Sequence, residues 1–141
     1  MKLITNLVFF LFICLVIQIP GAFSQDKCPL NIAAIKHNSR FTKAADNDDL
    51  YFLFGSSPGA GVCLICAYHK NGNLRLEAPY KDDKTEGLVS AYRENGKILA
   101  TMTYVKGSPV SGMCHHTNGT TRPLTNAELM DLDKGLAIEC D

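Results

Sequence analysis

Two groups of residues carry atoms that could do chemistry. Cys63 and Cys66 stand as Cys-x-x-Cys, and Cys114, His115 and His116 are consecutive. A Cys-x-x-Cys pair can cycle between dithiol and disulfide when a helix N-terminus or a nearby cation lowers the thiol pKa. Thiolate and imidazole donors can also hold zinc tetrahedrally. Together these define an alternative reading: a thiol-redox or zinc-dependent enzyme using Cys63/Cys66 and Cys114/His115/His116. The local context opposes it. Cys63 and Cys66 flank Leu64-Ile65 in a strand-like apolar run, where positions three apart face opposite sides. No turn residue lies between them, as a zinc knuckle requires, and adjacent histidines on a strand point apart. The simpler reading makes one of Cys63 and Cys66 a small buried residue and pairs the other with Cys28. His115 and His116 are then solvated residues before a turn.

The remaining motifs are structural. The Gly55–Gly61 loop lacks the Lys-Ser/Thr that follows a phosphate loop. Asp46-x-Asp48 has Tyr51 where a calcium loop needs glycine. There is no Gly-x-Ser-x-Gly, and no carboxylate pair sits in an acid/base context. We therefore expect a non-enzymatic chain with no catalytic, cofactor-binding or metal-binding residues. Its 14 basic and 14 acidic residues cancel. Nucleic acid is not an expected partner, because phosphate binding leaves a basic footprint.

Residues 1–24 read as a signal peptide: Lys2, the apolar run Leu7 to Ile17, Pro20-Gly21, and the small-x-small Ala22-Phe23-Ser24. The run is about half of the ~20 residues a membrane-spanning helix needs. A retained anchor is the alternative. The expected location is exported, periplasmic or secreted, where Cys28, Cys63, Cys66, Cys114 and Cys140 meet an oxidising environment. Their odd number leaves at least one outside intrachain pairs.

The elements that must position these residues come from a repeat. Tyr68 to Asp83 reads YHKNGNLRLEAPYKDD, and Tyr92 to Gly107 reads YRENGKILATMTYVKG. Asn71-Gly72 falls on Asn95-Gly96, Leu74 on Ile98 and Tyr80 on Tyr104, always 24 residues apart. A shortened third copy holds Cys114, His115, His116 and Asn118-Gly119. A fixed period of this size marks a repeat architecture. Asn-Gly between alternating segments predicts a two-residue type I′ hairpin turn with positive φ at both positions. Leu74, Leu76, Ala78 and Tyr80 are expected on one face, with Arg75, Glu77 and Pro79 on the other. Ile98, Ala100, Met102 and Tyr104 repeat the buried face. The predicted fold is mainly β: an antiparallel meander of hairpin repeats. Gly112 falls one residue late, which predicts a bulge or a longer turn in the second unit.

Tyr-x-x-Asn-Gly-x-Leu, a Tyr-Lys turn, then Glu86-Gly87-Leu88 and the next tyrosine resemble the bacterial MORN-variant repeat, the family of YwqK-type antitoxin modules. The resemblance covers roughly Ala67 to Gly119. It implies a twisted, single-layer β-meander that presents a surface and has no conserved catalytic residues. The lipid association proposed for eukaryotic MORN proteins adds peripheral membrane contact as a further reading. The neutral charge offers anionic lipid little attraction.

The domain plan is a signal peptide (1–24), an N-terminal cap and linker (25–61), MORN-like hairpin repeats (62–119) and a helical cap (120–141). In the first part, Leu30, Ala33, Ala34 and His37 give helical spacing within Leu30 to Ala45, interrupted by Arg40-Phe41-Thr42, and Leu50 to Phe54 reads as a short strand. In the last part, Thr125-x-x-Glu128 is a capping box, Leu124 and Leu129 have staple spacing, and Gly135 ends the helix. Leu124, Leu129, Leu132 and Leu136 should share an apolar face. Cys114 and Cys140 bracket this cap and should be joined. A loop of that length is worth roughly 3–4 kcal/mol in the chain-entropy model. The functional expectation is an exported interaction module that offers its sheet to a protein partner, with an antitoxin-like or immunity role among the options.

Overall fold

The computed structural model describes residues 27–45, 49–54 and 61–141. The signal-peptide segment, the start near Gln25, Asp46-x-Asp48 and most of the Gly55–Gly61 loop lie outside the described residues. Among the described residues nine strands form one antiparallel meander. They are β1 (Phe41–Lys43), β2 (Leu50–Phe54), β3 (Val62–Tyr68), β4 (Leu74–Lys81), β5 (Lys84–Thr85), β6 (Gly87–Tyr92), β7 (Ile98–Val105), β8 (Ser108–His115) and β9 (Thr121–Pro123). Each strand lies beside its chain neighbour, except that β5 and β6 both pair with β4. Among the described residues two helices flank the sheet: α1 (Ile32–Ile35) and α2 (Asn126–Asp133).

The N-terminal part departs from the sequence expectation. The helix expected over Leu30 to Ala45 is four residues long, capped by the Asn31 side chain on Ala33 N–H. Asn38 then turns the chain by accepting from the Arg40 and Phe41 backbones. Phe41–Lys43 pairs with β2, so Phe41–Lys43 and Leu50–Phe54 both belong to the sheet. Pairing with a neighbouring strand outweighs weak helical spacing in so short a segment.

The Asn-Gly turns also need correction. Gly72, Gly96 and Gly119 have φ of 86°, 80° and 88°, but the asparagines before them are not left-handed. Each turn spans four residues: Gly72 N–H donates to His69 O, Gly96 to Arg93 O and Gly119 to His116 O. In each, the Asn side chain accepts from the backbone N–H two residues on, at 3.0, 3.0 and 2.9 Å for Asn71, Asn95 and Asn118. This side-chain bond favours an ordinary turn closed by left-handed glycine over type I′. The two-residue turns with both φ positive lie at the other ends of the hairpins. They are Asp82-Asp83 (50° and 60°) and Lys106-Gly107 (51° and 85°), again 24 residues apart.

The repeat copies a bulge as well. Ala67 opposes Leu76 while Tyr68 opposes Leu74, so β4 carries one extra residue, Arg75. Ala91 opposes Ala100 while Tyr92 opposes Ile98, so β7 carries Leu99 in the same way. An extra residue reverses which side of the sheet the next side chain faces. Leu74 accordingly packs with Tyr68, Leu64 and Cys66, while Leu76 packs against Ala78 and Val89. The expectation that Leu74 and Leu76 share a face is overturned by this bulge. A further bulge follows Thr103 in the β7–β8 pair, within the second unit.

One row of paired residues crosses the front of the sheet: Leu50, Ala67, Leu76, Ala91, Ala100, Cys114. The adjacent row crosses the back: Tyr51, Cys66, Glu77, Ser90, Thr101, Met113. Cys66 is joined to Cys28 across 5.7 Å between Cα atoms, and Cys114 to Cys140 across 5.6 Å. The disulfides therefore hold the N-terminal segment on the back of one half and the C-terminal segment on the front of the other.

On the front, α2 packs over β8 through Leu124 and Leu129. Thr125 and Glu128 complete the capping box, and Arg122 on β9 clasps Glu128 at 2.7 and 3.0 Å. Gly135 (φ 75°) ends the helix, with its N–H on Leu132 O and that of Leu136 on Asp131 O. Residues 136–140 follow as an extended tail without strand pairing.

Candidate functional site

The suspected chemical residues are not brought together. Cys66 is bonded to Cys28 on the back, so it does not form a dithiol with Cys63. The Cys63 thiol donates to Leu53 O at 3.3 Å. Cys114 is bonded to Cys140 on the front. His115 Nε2 lies 3.3 Å from Thr101 Oγ1, and no group of three metal-ligating side chains converges among the described residues.

The repeat turns instead bind one another. Asn71 and Asn73 both donate to Glu94 O, at 2.9 and 2.8 Å. His69 Nε2 lies 2.8 Å from Tyr92 O, and Arg93 Nη2 lies 2.9 Å from His115 O. A carbonyl only accepts, so His69 carries its proton on Nε2. His69 and Arg93 are equivalent in the repeat, and each bonds the backbone of the following unit. Asp141 closes this series. It accepts from Thr117 N–H and pairs with Arg93 at 3.3 Å; the Thr117 bond comes first among the causes holding its carboxyl below the usual range.

Among the described residues, two surfaces set exposed apolar side chains beside polar ones. The first is a groove of about 430 Å3 on the front. Its floor and one wall are Leu76, Ala78, Val89 and Met102; its other wall is Leu132 and Leu136, from the end of α2. Alternation alone placed Arg75 on the opposite face, yet the bulge sets it beside Leu76 on the groove, near His69. The only sequence hint was Leu99, an apolar residue at the equivalent supposedly solvent-facing position. At the far end, Tyr104 OH donates to Asp133 at 2.9 Å. Burial first, and then this bond, push the Tyr104 hydroxyl well above its ordinary range. Leu136, expected in the shared apolar face, stays 54% exposed on the groove rim.

The second surface is the uncovered half of the back. Register aligns Leu88, Thr103 and Ser111 in one row and Ser90, Thr101 and Met113 in the next. Leu88 is 57% exposed there and Met113 is 36% exposed.

No family model and no curated protein matches the chain. A solved structure described as the GtfA/B complex bound to UDP and GlcNAc is similar over 77% of this chain, with 13% identity and a TM-score of 0.38. The chain spans 29% of the length of that one. A likeness of this degree carries no functional argument. Among the described residues no helix is long and apolar enough to cross a membrane.

Proposed function

We propose that this chain is an exported, non-enzymatic interaction module that presents its β-sheet to a protein partner. The observation that carries this reading is the half-covered sheet. The N-terminal segment covers one half of the back, and the other half exposes Leu88 and Met113 among Ser90, Thr101, Thr103 and Ser111. Apolar side chains set among small hydroxyls on a stiff, paired backbone suit a complementary protein surface, because little side-chain entropy is lost on docking. The two disulfides fit an oxidising compartment, which supports export. The resemblance to MORN-variant repeats supports a surface-presenting role and keeps an antitoxin-like or immunity function among the options.

The test uses the oxidised protein immobilised through its N-terminus and extract from the compartment to which it is exported. A specific partner should be retained by the native chain and lost from a Leu88→Lys, Met113→Lys double variant of equal thermal stability. Equal retention by both proteins, or no retention by either, overturns the proposal.

A further inference from the structure

We propose that the front groove is a binding site for a single-chain amphiphile with an anionic headgroup, its apolar chain along the groove and its headgroup at Arg75. The site is separate from the back surface assigned to a protein partner. Three features support it. The volume of about 430 Å3 lies within the range of ligand pockets, roughly 300–1,000 Å3. The walls and floor are aliphatic: Leu76, Ala78, Val89, Met102, Leu132 and Leu136. The two ends differ in charge. Arg75 stands at the turn end with His69, and among the described residues no carboxylate pairs with it. Asp133 stands at the other end, holding Tyr104 OH.

The charge difference sets the direction of the ligand. An anionic headgroup gains a charge-assisted hydrogen bond at Arg75 and would be repelled at Asp133. The groove runs along the strands. From Leu99 to Tyr104 on β7 there are five residue steps, which at about 3.3 Å each gives roughly 16 Å for an extended chain. This shape takes one medium-length acyl chain and not a folded protein surface. The groove's accessible sides are the half-buried Leu76, Leu99 and Leu132 and the exposed Leu136, over Ala78, Val89 and Met102, which belong to the packed front core.

The test is titration calorimetry of the oxidised protein with dodecanoate below its micellar concentration. Dodecyltrimethylammonium serves as the charge-reversed probe. Dodecanoate should bind one to one, at least roughly tenfold tighter than the ammonium probe. Arg75→Gln should weaken dodecanoate by about tenfold and leave the ammonium probe unchanged. Leu136→Asp, on the exposed rim, should weaken both without lowering the melting temperature. Leu88→Lys on the back should affect neither, so failure of the protein-partner reading stays distinguishable. Absence of saturable dodecanoate binding overturns the proposal. So does equal affinity for the two probes, or binding indifferent to both Arg75→Gln and Leu136→Asp.

Discussion

Gly112 lies directly under Leu124. A Cβ built on Gly112 would meet Leu124 Cδ1 at 2.6 Å and Thr101 O at 2.8 Å. The helical cap reaches the sheet because this position on β8 has no side chain. Gly112→Ala should therefore lift α2 and cost about 1–3 kcal/mol, the usual range for overpacking. Urea denaturation should show the loss, while Gly61→Ala, with nothing within 4 Å, changes little. Equal midpoints for the two variants would contradict the close approach.

The turns give a second prediction. The Asn-Gly pattern placed Gly96 in a two-residue hairpin turn. The structure puts Gly107 in the two-residue turn, yet both glycines are left-handed, with φ of 80° and 85°. A Cβ at Gly96 meets nothing, and at Gly107 only Lys84 side-chain carbons at 3.5 Å or more. Gly96→Val and Gly107→Val should thus cost similar amounts, about 1–2 kcal/mol each from the backbone conformation. Gly96→Asn should cost less than Gly96→Val. Thermal melts in parallel would decide it; a large Gly96-specific loss would restore the type I′ assignment.

A non-reduced proteolytic digest should yield one linked peptide pair containing Cys28 and Cys66, and another containing Cys114 and Cys140. Replacing Cys114 and Cys140 together by serine should cost roughly 3–4 kcal/mol in the chain-entropy model. Recovery of a Cys28–Cys63 peptide would show that the N-terminal segment is fastened elsewhere.

Acid should weaken the C-terminal cap through Glu128. The Arg122 guanidinium, then the Thr125 backbone, lower its pKa from 4.5 to about 2. A carboxylate depressed by folding stabilises the fold above its unfolded pKa, and that contribution fades as pH falls toward the folded value. The native chain should exceed Glu128→Gln in urea midpoint at pH 6, and the gap should narrow as pH drops from about 4.5 towards 2. A gap that stays constant over this interval would remove the Arg122–Glu128 clasp from the stability of the cap.

What the sequence alone determined is local. Alternating apolar residues specify strands because side chains on an extended chain point to opposite faces in turn. The 24-residue echo specifies a hairpin array because each copy carries its own turn and flanking strands, and Thr125 with Glu128, three residues apart, specifies a helix start. The tertiary structure alone decided which face each strand buries. One bulge residue, Arg75, reverses the side chain that follows it, so Leu74 and Leu76 serve different cores. Where a bulge falls depends on pairing with β3, which no window of β4 contains. The same holds for Cys28, which two nearby cysteines could have met. Cys66 is its partner because it shares the back row with Tyr51 under the N-terminal segment, and row membership is a property of strand register, not of spacing along the chain.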